Sequence, residues 1–252
     1  MDDIDALAPV AHFDGPNGLT IAHRFLPGAR PAVVFLPGYM SDMDGGKAQA
    51  VLRWAADEGR ACLLLDYSGC GRSEGDFAHG TLSRWRDEVV ALVRHHALDR
   101  VLLCGSSMGG WLMLLVAEVL GDGAVGLVGI AAAPDFTEWG FDAAQKGGLA
   151  RGETLFEDNP YGPEPTPTHA GFWRDGQRLL RLAAGVAFDG PVRLLQGQAD
   201  PDVPWQTALR LAQAVRSDDV QVHLIKDGDH RLSRDADIAL LLRVIGDLPA
   251  TA

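Results

Sequence analysis

Two serines stand side by side in "LLCGSSMGGWL", residues 102 to 112. A serine hydroxyl is a weak nucleophile unless a neighbouring base takes its proton and a third group orients that base. The G-x-S-x-G arrangement adds a backbone requirement. Its serine sits on a sharp, strained turn between strand and helix, so the residues two before and two after it must lack bulk. Centred on Ser107, these are Gly105 and Gly109; centred on Ser106, they are Cys104 and Met108. Ser107 is the candidate nucleophile, and Ser106 packs beside it. The motif is short and the chain holds 30 glycines, so the assignment depends on finding partners elsewhere.

Two later segments supply them. "QGQADPDVPW", residues 196 to 205, offers Asp200 as the orienting acid, with Asp202 as the other choice. "KDGDHRLS", residues 226 to 233, offers His230 as the base, beside Asp229. Each follows a short apolar run that reads as a strand, where catalytic groups of a parallel sheet collect. The chain order Ser107, Asp200, His230 is that of the α/β-hydrolase fold and differs from both protease orders. His95 and His96 fall on a helix and His223 on a strand; all three read as structural. Acyl transfer also needs donors for the developing oxyanion. The Met108 N–H is one, at the start of a helix. The Tyr39 N–H, in "LPGYMSDMDGG", is the other.

The elements that must hold these residues alternate. Ala32–Leu36, Cys62–Leu65, Val101–Cys104, Val125–Ala131, Val192–Leu195 and Val220–Ile225 are short apolar runs that predict strands. Helices are predicted at about 46–58, 82–96, 108–120, 205–216 and 234–248. This pattern implies an α/β protein with a mostly parallel central sheet covered by helices on both faces. Thr20–Phe25 predicts an antiparallel N-terminal edge. The alternation stops between Pro134 and Gly190, where no clear strand is visible. Residues 1–133 and 191–252 therefore form the core, and 134–190 a helical lid. The lid is rich in aromatics: Phe136, Trp139, Phe141, Phe156, Tyr161, Phe172, Trp173 and Phe188.

"DYSGCGRSEG", residues 66 to 75, carries Gly69-x-Gly71 but has Glu74 where a dinucleotide fingerprint needs glycine. It reads as a tight loop on the rim of the site, with Ser73 as a helix cap. No metal spacing and no cofactor motif is found. A net charge of −12 and a pI near 5 disfavour nucleic acid and anionic membranes as partners. The three cysteines read as reduced core residues. The acidic start MDDIDALAPV shows no signal or transit peptide. Together these give the expectation of a cytoplasmic protein.

The stretches "PGYMSDMDGGKA", "DYSGCGRSEG", "GSSMGGWLM", "DPDVPW" and "DHR" resemble the α/β-hydrolase superfamily over nearly the whole chain. Within it, they are most similar to the group of the mitochondrial palmitoyl-protein thioesterase and mycophenolic acid acyl-glucuronide esterase. The resemblance implies a serine hydrolase of esters or thioesters with no cofactor. It carries nucleophile, acid and base over to Ser107, Asp200 and His230, and the oxyanion donors to Tyr39 and Met108. The expected partner is a small acyl ester or thioester, or an acylated protein. The rival readings are a non-catalytic ligand-binding member of the fold and a small serine peptidase. Arg174, Arg178 and Arg181 recur at helical spacing on one face of the lid. They read either as a solvated face or as contacts for an anionic leaving group. In the second case Leu179, Leu180 and Leu182 face the core, and lid aromatics, Trp139 and Trp173 among them, line an acyl groove.

Overall fold

The computed structural model describes residues 4–159 and 162–248. After a short helix α1 (Ile4–Leu7) come β1 (Val10–Asp14), β2 (Thr20–Leu26), β3 (Ala29–Leu36), α2 (Gly46–Asp57), β4 (Arg60–Leu65), α3 (Leu82–His95), β5 (Val101–Ser106), α4 (Met108–Leu120) and β6 (Ala124–Ile130). The insertion follows, with α5 (Phe136–Trp139), α6 (Ala143–Arg151), β7 (Leu155–Glu157), β8 (Thr166–Thr168) and α7 (Ala170–Arg178). The core resumes with β9 (Val192–Gly197), α8 (Gln206–Ala214), β10 (Val220–Ile225) and α9 (Asp235–Gly246).

Eight of these strands form one sheet in the order β1-β2-β4-β3-β5-β6-β9-β10. β2 runs antiparallel to both its neighbours, β1 and β4, and all the other pairs of this sheet are parallel. The central parallel strands β3, β4, β5 and β6 are largely apolar because both their faces are buried. Their alternation divides the side chains between two layers. In β3, Ala32, Val34 and Leu36 join the layer under α3, α4 and α8, whereas Val33 and Phe35 join the layer under α2 and α9. In β5, Val101 and Leu103 take the first layer and Leu102 and Cys104 the second. α4 is apolar all round, and its residues from Met108 to Ala117 are buried. It lies between the sheet and the insertion, with Phe172 of α7 in the same layer.

The chain winds from β3 through α2 to β4 on one side, then returns to place β5 on the other. β3 and β5 thus mark the point where the winding reverses, and a crevice opens past their carboxyl ends. Two expectations need correction here. Thr20–Leu26 is antiparallel but interior, because β1 pairs with it and forms the edge. The insertion does contain strands: β7 and β8 make a hairpin in which Phe156 pairs with Pro167. At three residues each, they are too short to show a period of two.

The insertion is seated firmly on the core. Phe136 and Phe172 pack against Tyr39 with ring centroids 6.1 and 4.9 Å apart, and Trp85 and Trp111 extend the cluster. Such offset and tilted ring contacts add to the stabilisation from burial. Asp175 of α7, almost fully buried, accepts hydrogen bonds from the N–H and the hydroxyl of Ser83 in α3. Asp135 accepts the backbone N–H groups of Arg181 and Leu182.

Candidate active site

Ser107 follows β5 and caps α4 with φ 54° and ψ −120°, a conformation that is strained for any residue bearing a Cβ. Its N–H donates to the Ile130 carbonyl, and its own carbonyl accepts from Gly110 and Ala133, so the turn is held from both sides. The flanking glycines fit the close approach. A Cβ on Gly105 would stand 2.2 Å from the Gly109 carbonyl oxygen, and one on Gly109 would stand 2.1 Å from that of Leu36.

Asp200 and His230 follow β9 and β10. These loops touch where Gly197 meets the Gly228 carbonyl, an approach that no side chain at 197 would permit. His230 Nε2 lies 3.1 Å from Ser107 Oγ, and His230 Nδ1 lies 3.0 Å from Asp200 Oδ2. Asp200 Oδ2 also accepts from Gln196 Nε2, and Oδ1 accepts the N–H groups of Asp202 and Val203. Burial alone would raise the pKa of Asp200. The hydrogen bond and charge of His230, with those two amides, outweigh it and hold the carboxyl below its ordinary range. Asp202 contributes its amide to Asp200, and its side chain is on the cleft wall. Asp200, Asp202 and His230 each bring a potential metal-ligand atom to within 4.8 Å of the others, and the Asp200–His230 hydrogen bond accounts for most of that closeness.

Ser107 and His230 open into a cleft of about 590 Å³ that is also lined by Gly38, Tyr39, Met108, Phe136, Trp139 and Phe141. Gly38 packs on Ser107, which puts the start of the β3–α2 loop beside that serine. Tyr39 is anchored by its hydroxyl, which donates to the Pro167 carbonyl of β8. Asp66 supports the same loop by accepting the Met43 N–H, and its second oxygen accepts that of Arg72. None of residues 66–75 lines the cleft. The expected rim loop is therefore a buttress behind it. Ser73 caps no helix; its hydroxyl donates to the Asp66 carbonyl and accepts the Ala22 N–H.

Three of the four expected substrate contacts lie elsewhere. Arg174 donates to the Ala150 carbonyl, and the exposed Arg178 reaches back to Asp175. Arg181 lies beyond the end of α7 and pairs with Glu118 through two nitrogens. None of the three lines the cleft. Nor do they share one solvated face: Arg178 is exposed, whereas Arg181 is mostly covered against Glu118, and Leu179, Leu180 and Leu182 pack on the core. Trp173 is also absent from the cleft; its indole donates to the Thr137 carbonyl. Trp139 does line it. Of the other aromatics expected in a lid, Phe156 is exposed, Phe172 and Phe188 are buried in the core, and Tyr161 lies outside the described residues. Lys47, Glu157 and Arg231 line the cleft and were not anticipated. Lys47 falls within "PGYMSDMDGGKA", at the start of α2, and that position was its only signal. The three cysteines are free and buried, and burial pushes the Cys70 and Cys104 thiols up to about 12.

Sheet order, elbow and cleft together define an α/β hydrolase. Residues 33–241 match the alpha/beta hydrolase family, and the chain belongs to it. Among curated proteins it is similar to the human palmitoyl-protein thioesterase ABHD10, mitochondrial, at 35% identity over 244 residues, covering 93% of this chain and 77% of the relative. Among solved structures it is similar to a hydrolase from Agrobacterium vitis S4, with a TM-score of 0.89 and 36% identity over 95% of this chain and 98% of that one. Mouse alpha/beta hydrolase domain-containing protein 10 gives 0.87 and 34% over 94% and 97%. The cytoplasmic expectation is overturned, since the curated relatives of this kind are mitochondrial proteins. Reduced, buried cysteines and an acidic surface suit any reducing compartment and do not single out the cytoplasm. Among the described residues no helix is long and apolar enough to cross a membrane.

Proposed function

We propose that the chain hydrolyses carboxylic esters or thioesters through an acyl-enzyme on Ser107. The observation that carries this is the continuous chain of hydrogen bonds from Ser107 through His230 to Asp200, at 3.1 and 3.0 Å. His230 Nε2 takes the serine proton as Oγ attacks the acyl carbonyl. Asp200, kept ionised, fixes the tautomer with the proton on Nδ1 and stabilises the imidazolium that forms. The oxyanion is held by the N–H groups of Met108, at the positive end of α4, and Tyr39. His230 then returns the proton to the departing alcohol or thiol. A water enters, gives its proton to His230 and attacks the acyl-serine, and collapse of the second intermediate restores Ser107.

The insertion, residues 134–190, acts as the lid that shapes the acyl site, through Phe136, Trp139 and Phe141. The apolar walls suit an acyl chain, and the similarity to a palmitoyl-protein thioesterase supports a small acyl ester or thioester or an acylated protein as substrate. The test is turnover of p-nitrophenyl acetate. Ser107→Ala should abolish it with the fold intact, whereas Ser106→Ala should keep most of it. A dead Ser106→Ala enzyme beside an active Ser107→Ala enzyme would refute the assignment.

A further inference from the structure

The Tyr39 amide serves as an oxyanion donor only if its peptide is fixed in direction, yet residues 37–45 lie in no helix or strand. A trans peptide points its N–H away from its C=O. The Gly38 carbonyl accepts the Ser41 N–H at 3.1 Å, so the Tyr39 N–H faces the other way. The same turn puts Met40 at φ 55°, and a residue so strained persists only where its surroundings hold it.

The holding groups come from the loop after β4. Tyr67 is fully buried, and its hydroxyl donates to the Pro37 carbonyl at 3.1 Å. Burial pushes the pKa of that hydroxyl well above the ordinary tyrosine value, so it stays a donor. The elbow presses on the same carbonyl, since a Cβ on Gly109 would stand 2.5 Å from the Pro37 oxygen. Asp66, the residue before Tyr67 and also buried, accepts the Met43 N–H at 2.7 Å. Two adjacent side chains therefore tie the chain just before and just after the turn at 38–41. The ties are fixed in turn by α3. The Tyr67 ring stacks on Trp85 with centroids 5.3 Å apart, the Trp85 indole donates to the Ser68 carbonyl, and Glu88 accepts the Ser68 N–H. Neither Asp66 nor Tyr67 lines the cleft.

We infer that Tyr67 and Asp66 are positioning residues that set the direction of the Tyr39 N–H, so that their loss weakens stabilisation of the oxyanion rather than the fold at large. This rests on the acyl-enzyme reading of the same cleft.

Oxygen and sulfur at the acyl carbonyl separate the two effects. p-Nitrophenyl acetate gathers negative charge on oxygen. p-Nitrophenyl thionoacetate, with the same leaving group, gathers it on sulfur, a larger atom that accepts N–H donors weakly. The quantity read is the ratio of kcat/KM, oxygen ester over thionoester, for wild type, Tyr67→Phe, Asp66→Asn and a control, Val244→Ala, in the core under α9. Tyr67→Phe should lower the oxygen-ester value about tenfold, through kcat, a part of the roughly 100-fold that goes with a whole donor. The thionoester value should fall much less, so the ratio drops. Asp66→Asn, which turns one acceptor oxygen into a donor, should move the ratio the same way. Val244→Ala should lower Tm and leave the ratio alone. If Tyr67→Phe lowers both substrates by one factor, or lowers neither, the inference is overturned; it is equally overturned if Val244→Ala moves the ratio as far. Should Tyr67→Phe fail to fold, Asp66→Asn decides by the same ratio. Ser107→Ala separates this inference from the reading beneath it. If that variant is inactive while the ratios stay flat, only the role of Tyr67 and Asp66 fails; if it is active, the acyl-enzyme reading fails and this inference with it.

Discussion

A Cβ added to Gly109 would stand 2.1 Å from the carbonyl oxygen of Leu36, the last residue of β3. The second turn residue of the elbow is thus pressed against the strand whose following loop carries Tyr39. Gly109→Ala should push β3 and α4 apart, and forcing a methyl into such a contact typically costs about 1–3 kcal/mol. The larger effect should fall on catalysis. Displacing the Tyr39 amide removes one oxyanion donor, and such a loss costs about 100-fold or more in kcat. Steady-state kinetics beside a thermal melt check this; a variant with wild-type kcat would show that the contact does not set the hole.

The seating of the insertion yields a second expectation. Asp175 accepts two hydrogen bonds from Ser83 at 2.8 and 2.9 Å and one from Arg178. Asp175→Ala leaves the Ser83 amide and hydroxyl without this partner where α7 meets α3. The stability loss should be about 1–3 kcal/mol, read as a fall of several degrees in Tm. An unchanged Tm would mean that the aromatic cluster around Tyr39 alone holds the insertion.

A third expectation concerns acid. His96 stacks on Phe25 with ring centroids 4.0 Å apart, and its Nε2 is buried with no hydrogen-bond partner among the described residues. Burial, then the neighbouring His23 and His95, lowers its pKa from 6.5 to about 4. His23 is lowered too, mainly by burial. The unfolded chain therefore binds a proton that the folded chain refuses. Stability from this cluster is full above about pH 6.5 and is lost as pH falls from there towards 4. Tm measured between pH 7 and 4.5 should fall, and His96→Phe should flatten the slope. The same slope in the variant would remove His96 from the account.

Much of this architecture is legible in the sequence where one physical cause dominates. Val220–Ile225 matches β10 at both ends, because its alternating apolar residues stop at the polar turn that follows, and the predicted helix 108–120 matches α4, because a buried apolar run ends at Gly121. β1 was missed because Val10–Asp14 is an edge strand, partly exposed, with His12 and Asp14 breaking its pattern. Ser107, Asp200 and His230 could be named because each falls at a strand end in a fixed chain order. The arginine stripe misled on position. Spacing groups Arg174 and Arg178 on one face, but which face meets the core is decided by the fit of Phe172 and the leucines against α4, a tertiary matter. Lys47 was missed for the same reason. Its place in the cleft arises only when α2 folds beside the His230 loop, more than 180 residues away in sequence.

The central claim is that Ser107 becomes covalently acylated, and peptide mapping by mass spectrometry after treatment with a fluorophosphonate tests it most directly. The account predicts one adduct, on Ser107, lost in His230→Ala at matched reagent and time because the serine is no longer deprotonated. An adduct on Ser106, or no adduct on a folded protein that still turns over p-nitrophenyl acetate, would contradict it.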